Sequence, residues 1–284
     1  MISINPGKVY IFDVDGTLTM PRQKMTDNMH YHFKDWCQDK NVFLATGSDI
    51  DKLKEQVPED IISLTKGVFC CMGNHLLSNK LETLYKVNFP FHDCLKKDLQ
   101  NFINNSKYST KTGNHIEERI GMLNFSIVGR NADTIQRSEY NKWDEIQNER
   151  KEIANFINKN YPGLSATVGG SISIDIIPIG RDKGQIINHL LGLELDISEI
   201  HFVGDKTYEG GNDYGIRREL AKTIIPNRIY QVRYYTDTFD LFYYDKLNIL
   251  VDTEWWLRRK KNMKVLVPKR KKTIRENEEV TSQN

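Results

Sequence analysis

Cysteine is scarce in this sequence and long apolar runs are missing: Cys37, Cys70, Cys71 and Cys94 are the only cysteines among 284 residues. They have neither paired CxxC spacing nor the density of a disulfide framework, which excludes a zinc ribbon or a stapled secreted module. Cys70 and Cys71 are adjacent within an apolar stretch, where small buried thiols are expected. No uninterrupted apolar run approaches the ~20 residues that cross a bilayer. The opening Met1-Ile2-Ser3-Ile4-Asn5 has no basic region followed by an apolar one, so no secretory signal is visible. These absences point to a reduced, soluble, cytoplasmic protein.

Charge of one sign is also lacking, with a formal net of +2, a hydrophobic content of 39% and a charged content of 27%. Such a composition suits a globular chain long enough for one large or two modest domains. The near-balance hides an asymmetry. From Arg258 onward ten basic residues stand against Glu276, Glu278 and Glu279, a net of +7, which leaves −5 for the rest. Basicity therefore belongs to an appendage.

What is present begins at Val9-Tyr10-Ile11-Phe12, four β-branched or aromatic residues that read as a strand buried on both faces. The apolar run stops at Asp13, and Asp15-Gly16-Thr17 follows. Two carboxylates at the mouth of a buried strand are costly unless a cation or ligand compensates them. The carboxyl ends of parallel strands are where α/β proteins bind ligands. A second buried strand, Asn41-Val42-Phe43-Leu44-Ala45, closes on Thr46-Gly47-Ser48-Asp49; a third, Gly67-Val68-Phe69-Cys70-Cys71, runs to Met72-Gly73-Asn74. Between the first two, Thr26-Asp27 can cap a helix with the stripe Met29, Phe33 and Trp36.

From about Glu82 the pattern changes. A helix marked by Cys94, Leu95, Leu99, Phe102 and Ile103 is followed by an alternating strand across Gly121-Met122-Leu123-Asn124-Phe125-Ser126-Ile127-Val128-Gly129-Arg130. One long amphipathic helix is expected through Trp143, Ile146, Ile153, Phe156 and Ile157, then strands at 164–168 and 171–177. Antiparallel strands placed between α/β segments read as an inserted cap. The core resumes with Asp182-Lys183, the helix of Ile186, Ile187, Leu190 and Leu191, and a strand at 199–203 that ends in Gly204-Asp205-Lys206-Thr207. The expected fold is α/β: a Rossmann-like parallel-sheet core (1–81 and 183–244), an inserted α+β cap (82–182), and a basic extension (245–284), partly disordered by composition.

Asp13-Val14-Asp15-Gly16-Thr17-Leu18-Thr19 resembles the first motif of the haloacid dehalogenase superfamily of phosphotransferases, and Ser48, Lys183 and Asp205 match its second, third and fourth. The resemblance implies Asp13 as nucleophile, Asp15 as general acid/base, Ser48 (rather than Thr46) as a phosphate-binding hydroxyl, and Lys183 as the cation that neutralises an aspartyl-phosphate. It also implies Mg²⁺ held by Asp13, the Asp15 backbone carbonyl and Asp205, an oxygen-rich set suited to that ion.

The cap narrows the likeness. Arg119 with Gly121-Met122-Leu123-Asn124, Gly129-Arg130, Arg137, Gly169-Gly170 with Ile172-Ser173 and Asp175, and Gly210-Gly211-Asn212-Asp213 resemble the eukaryotic-type phosphomannomutases from about Val9 to Phe242. The family resemblance implies interconversion of mannose 6-phosphate and mannose 1-phosphate, feeding GDP-mannose synthesis, with a hexose 1,6-bisphosphate as activator. Arg119, Arg130 and Arg137 would hold the second phosphate, because guanidinium forks bind phosphate bidentately. Arg22, Asn124, Ser173 and Asp175 would contact the sugar or its phosphates, and relatives pair through their caps as homodimers.

The sequence departs from the family in two places. Where the family reads Pro-Glu-Asn-Gly, this chain has Cys70-Cys71-Met72-Gly73; after Asp213 it has Tyr214-Gly215-Ile216-Arg217-Arg218, so no monovalent-cation site is carried over. Two alternatives follow: a sugar-phosphate phosphatase with the same Asp13 chemistry, and a non-catalytic protein that binds nucleic acid or an anionic membrane through the basic runs at 258–261 and 269–272. A strand at 247–251 and an apolar anchor at Trp255-Trp256-Leu257 complete the expectations for the extension.

Overall fold

The computed structural model describes residues 2–244 together with Leu250 and Val251; the remainder of the 245–284 extension, with its basic runs and Trp255-Trp256-Leu257, lies outside the described residues. The chain opens with β1 (Gly7–Asp13), α1 (Asp27–Cys37), β2 (Asn41–Ala45), α2 (Ile50–Gln56), α3 (Glu59–Leu64) and β3 (Gly67–Cys70). A 3₁₀ turn at Cys71–Gly73 leads into β4 (His75–Leu77) and β5 (Thr83–Lys86). There follow α4 (Asp93–Asn105), β6 (Ile116–Arg119), β7 (Met122–Phe125), α5 (Thr134–Gln147), α6 (Glu149–Asn160), β8 (Leu164–Gly169) and β9 (Ser173–Pro178). The chain then returns through α7 (Gln185–Leu191), β10 (Ile197–Gly204), α8 (Tyr214–Leu220), β11 (Asn227–Gln231), α9 (Phe239–Tyr244) and β12 (Leu250–Val251).

One sheet has the order β12-β11-β10-β1-β2-β3-β4-β5, with β11 to β3 parallel and the outer strands antiparallel. β1 is central because both of its faces are apolar: Tyr10 and Phe12 pack into one core with Phe33 and Trp36 of α1, and Val9 and Ile11 pack into another with Ile186 and Leu190 of α7. Alternation along a pleated strand sends successive side chains to opposite faces, so a strand apolar throughout belongs between two helical layers. Its neighbours are in register at Asp13–Ala45 and Phe12–Val203, so the loops after β1, β2 and β10 emerge together at one end of the sheet. The strand order reverses between β10 and β1, which opens a crevice there.

The second sheet, β6-β7-β9-β8, is antiparallel and packs its own core from Leu95, Leu99, Leu123, Phe125, Tyr140, Ile153 and Ile174. Thr83–Lys86, inside the stretch expected as cap, is instead the edge strand of the large sheet. The single long helix expected across 143–157 is two helices. Asn148 takes φ 57°, the left-handed conformation that Asn tolerates at a helix end, and both Ile146 and Phe156 are exposed. Cys94 likewise faces solvent, leaving Leu95, Leu99 and Ile103 as the α4 stripe. The strand expected through Arg130 stops at Phe125. Of the strand expected at 247–251, Leu250 and Val251 pair antiparallel with Tyr230 and Ile229. Among the described residues, no helix is long and apolar enough to cross a membrane.

Candidate active site

Asp13 ends β1 facing the crevice and is buried. Lys183, just before α7, brings Nζ to 2.5 Å from Asp13 Oδ1 and 2.7 Å from Asp213 Oδ1, and Thr17 Oγ1 donates to Asp13 Oδ2 at 3.2 Å. Gly16 has φ +85°, and a Cβ there would lie 2.5 Å from Asp205 Oδ2, so only glycine lets the first loop pass so close to the end of β10. The Asp15 carboxylate is held apart from this set: its Oδ1 accepts from the Arg22 backbone N–H at 2.7 Å and from Gln56 Nε2 at 3.0 Å.

In the second loop the two hydroxyls divide. Thr46 is buried and its Oγ1 accepts from Ser48 N at 3.0 Å, which shapes the turn, whereas Ser48 lines the crevice. The crevice wall carries Asp13, Asp15, Arg22, Ser48, Arg119, Asn124, Arg130, Arg137, Ser173 and Asp175, all of them expected there from the sequence. Met72, Lys206 and Asn212 line it too, and the sequence reading assigned them no part in it. Lys183 and Asp205 stand behind the wall, against Asp13.

Asp13, Asp205 and Asp213 each bring a carboxylate oxygen into one cluster, all within 4.8 Å of one another. Asp213 was absent from the expected metal set although it ends Gly210-Gly211-Asn212-Asp213; an Asp just after a Gly-rich turn beside a strand end is the signal that could have marked it. Burial first, then repulsion from Asp213, pushes the Asp13 carboxyl well above the ordinary carboxylate range, with Lys183 pulling against them. Burial pushes Asp205 up to about 6, opposed by Lys206 and reinforced by Asp213. For Lys183 burial disfavours the charge, but Asp13 and Asp213 outweigh it and hold the ammonium above its ordinary value. Three clustered carboxylates with one lysine leave an excess of negative charge, and hard oxygen donors of this kind fit a small divalent cation.

The opposite side of the crevice is cationic. Arg119 ends β6 and donates from Nε to Glu117 Oε1 (2.8 Å) and from Nη1 to the Gly47 carbonyl (2.9 Å), while its buried Nη2 has no hydrogen-bond partner. Arg130 Nε donates to the other oxygen of Glu117 at 3.1 Å. Arg137, on α5, uses Nε on the Ala132 carbonyl (2.7 Å) and Nη2 on the Arg130 carbonyl (2.6 Å). Burial and the nearby Arg22 lower Arg137 to about 10, and burial with Arg119 lowers Arg22, as expected of crowded cations without an anion between them. Glu117 is a further residue that the sequence reading passed over; as the shared partner of two guanidinium groups it orients both. Asn124 Nδ2 donates to Asp175 Oδ1 at 2.5 Å, and burial raises the Asp175 carboxyl against the pull of Arg119.

Residues 23–238 match the family model for eukaryotic phosphomannomutase. The chain is 38% identical to a phosphomannomutase of Dendrobium officinale over 219 residues, covering 74% of this chain and 85% of that one. It is 36% identical to one of Arabidopsis thaliana over 228 residues, covering 77% and 90%. Its fold is similar to that of the IMP-bound, N-terminally truncated IMP-nucleotidase of Plasmodium falciparum, with a TM-score of 0.56 at 16% identity over 83% of this chain and 67% of that one. A trehalose-6-phosphate phosphatase related protein superposes with a TM-score of 0.52 at 14% identity over 89% and 100%. With the family model matching most of the chain and relatives 36–38% identical over about three quarters of it, this chain belongs to the eukaryotic phosphomannomutase family.

Proposed function

We propose that this chain interconverts mannose 6-phosphate and mannose 1-phosphate through a phosphoaspartate on Asp13, in the cytoplasm and as a homodimer paired through the cap. The observation that carries the reading is that one crevice joins two unlike ends: the buried carboxylate cluster of Asp13 with Lys183 on the large sheet, suited to a divalent cation and a reacting phosphate, and the cationic set Arg119, Arg130 and Arg137 beside the small sheet. A monophosphate hydrolase needs only the first; a mutase must hold one phosphate while it moves the other.

Asp13, Asp205 and Asp213, with the Asp15 backbone carbonyl, would hold Mg²⁺, which when bound neutralises phosphoryl oxygens and polarises phosphorus. Asp13 Oδ attacks phosphorus of a hexose 1,6-bisphosphate, the bond from phosphorus to the sugar oxygen breaks, and Asp15 gives its proton to that oxygen. Lys183 balances the charge on the phosphoaspartate, and Ser48 holds one of its oxygens. An entering hexose monophosphate then presents its free C1 or C6 hydroxyl; Asp15 takes the proton as that oxygen attacks phosphorus, the bond from phosphorus to Asp13 Oδ breaks, and the bisphosphate so formed turns end for end before the next transfer. The arginine set holds whichever phosphate is not being transferred. Gln56 and the Arg22 backbone, which fix the Asp15 carboxylate, keep the acid/base group aimed across the crevice.

The test is ³¹P NMR of purified protein with mannose 1-phosphate, Mg²⁺ and a trace of glucose 1,6-bisphosphate. Mannose 6-phosphate is the expected product. Inorganic phosphate alone would replace the mutase by a phosphatase, and turnover of neither kind would reject both.

A further inference from the structure

Between β8 and β9 the chain turns through Gly170, Ser171 and Ile172, all three of which line the crevice beside Ser173 and Asp175. A turn at this place decides where the sugar-contacting side chains stand, yet it is held from behind. Ser126, fully buried just after β7, donates from Oγ to the Ile172 carbonyl at 2.9 Å. Arg150, on α6 and 5% exposed, reaches the Gly170 carbonyl with Nη1 at 3.3 Å. Neither Ser126 nor Arg150 lines the crevice.

The remaining contacts of Arg150 explain why a guanidinium is there. Nε donates to Asp144 Oδ2 at 2.6 Å, its backbone N–H donates to Asp144 Oδ1 at 2.8 Å, and Nη2 donates to Asn141 Oδ1 at 3.0 Å. One planar group therefore ties the break between α5 and α6 to the turn at Gly170. A buried ion pair is a poor device for stability alone, because desolvation cancels most of its attraction. What it supplies is a fixed geometry, as planar guanidinium forks do.

We propose that Ser126 and Arg150 are positioning residues that set the 170–172 turn against the bound sugar phosphate, each through one turn carbonyl. The inference rests on the mutase reading above and extends it to residues that do not touch substrate. Loss of either hydrogen bond lets the turn drift, loosening Ser173 and Asp175 around the sugar while leaving Asp13, Lys183 and the carboxylate cluster intact.

The test compares Ser126→Ala, Arg150→Lys and the double variant with the parent protein in three measurements. These are steady-state conversion of mannose 1-phosphate, hydrolysis of p-nitrophenyl phosphate (which has no sugar to position), and thermal unfolding. Each single variant is expected to raise KM for mannose 1-phosphate roughly three- to tenfold, the effect of one hydrogen bond, with kcat and aryl phosphate hydrolysis within about twofold. The double variant should fall short of the product of the two singles, because both act on one turn. An unchanged KM in Ser126→Ala, or loss of aryl phosphate hydrolysis in step with mannose 1-phosphate turnover, overturns the proposal; Ser126→Ala decides it should the Arg150 variant fail to fold. A parent protein that cleaves the aryl ester but leaves mannose 1-phosphate untouched overturns the mutase reading itself, a result separate from any difference between variants.

Discussion

The Lys183 ammonium lies 2.5 Å from the Asp13 carboxylate across 170 residues of chain, with both side chains closed off from solvent. Removing one partner of a buried pair strands the other. Lys183→Met leaves Asp13, Asp205 and Asp213 facing one another uncompensated, and is expected to destabilise the fold by about 3–5 kcal/mol in chelator. Added Mg²⁺ should restore part of that loss, since a ligand bound only by the folded state raises its stability. Urea unfolding with EDTA and with Mg²⁺ measures both. Asp13→Asn, which keeps the shape and removes the proposed nucleophile, is expected to cut phosphoryl transfer by about 10⁵-fold or more while leaving the fold standing.

Arg137 holds two backbone carbonyls, of Ala132 and Arg130, at the cationic end of the crevice. On the proposed reading, Arg137→Ala removes a charged donor from the distal phosphate, where such bonds contribute about 1.5–3 kcal/mol. The expected result is a KM for mannose 1-phosphate raised roughly ten- to a hundredfold, with kcat changed much less. Initial-rate kinetics separates the two, and an equal fall in kcat with KM unchanged would place Arg137 elsewhere in the cycle.

At Gly169, a Cβ would sit 2.2 Å from Asp175 Oδ2, and Asp175 is pinned by Asn124. Gly169→Ala must displace the Asp175 carboxylate. We expect a stability loss of about 1–3 kcal/mol, typical of overpacking, together with weaker hexose phosphate binding. Aryl phosphate hydrolysis should persist, because Asp13 and its partners lie on the other sheet.

Glu199 accepts from Arg228 at 2.8 Å and lies 3.1 Å from both Lys8 and His201. Burial alone would raise its carboxyl; the neighbouring His201, Arg228 and Lys8 outweigh it and hold the group at about 2, below the ordinary 4.5. A depressed carboxylate stabilises the fold fully above its unfolded value and loses that contribution as pH falls through the folded one. Glu199→Gln should therefore be less stable than the parent at pH 7, with the gap closing as pH falls from 4.5 towards 2. Urea midpoints across that range check the sign.

The catalytic strand was legible because its chemistry is written consecutively. Four apolar residues and then Asp13 and Asp15 can be read without knowing any neighbour, and β2 repeats the pattern down to its terminal hydroxyl loop. The α5–α6 break was not legible: Ile146 and Ile153, seven residues apart, keep a helical phase across the polar stretch around Asn148, and only the packed cap reveals that Ile146 and Phe156 point outward. β4 and β5 were missed for a related reason. A three-residue strand and an exposed edge strand are stabilised by pairing, and local preference says little about them.

The sequence by itself determined the buried parallel strands, the order of the phosphotransfer motifs and the three arginines, because burial pattern and residue chemistry are local properties. Tertiary structure alone decided that Asp213 joins Asp13 and Asp205, that Glu117 links Arg119 to Arg130, and that Ser126 and Arg150 stand behind the 170–172 turn. Those relationships join groups from different strands, helices and loops. Only packing settles which polar atoms meet, since each buried donor or acceptor must find its partner wherever the fold brings one within reach.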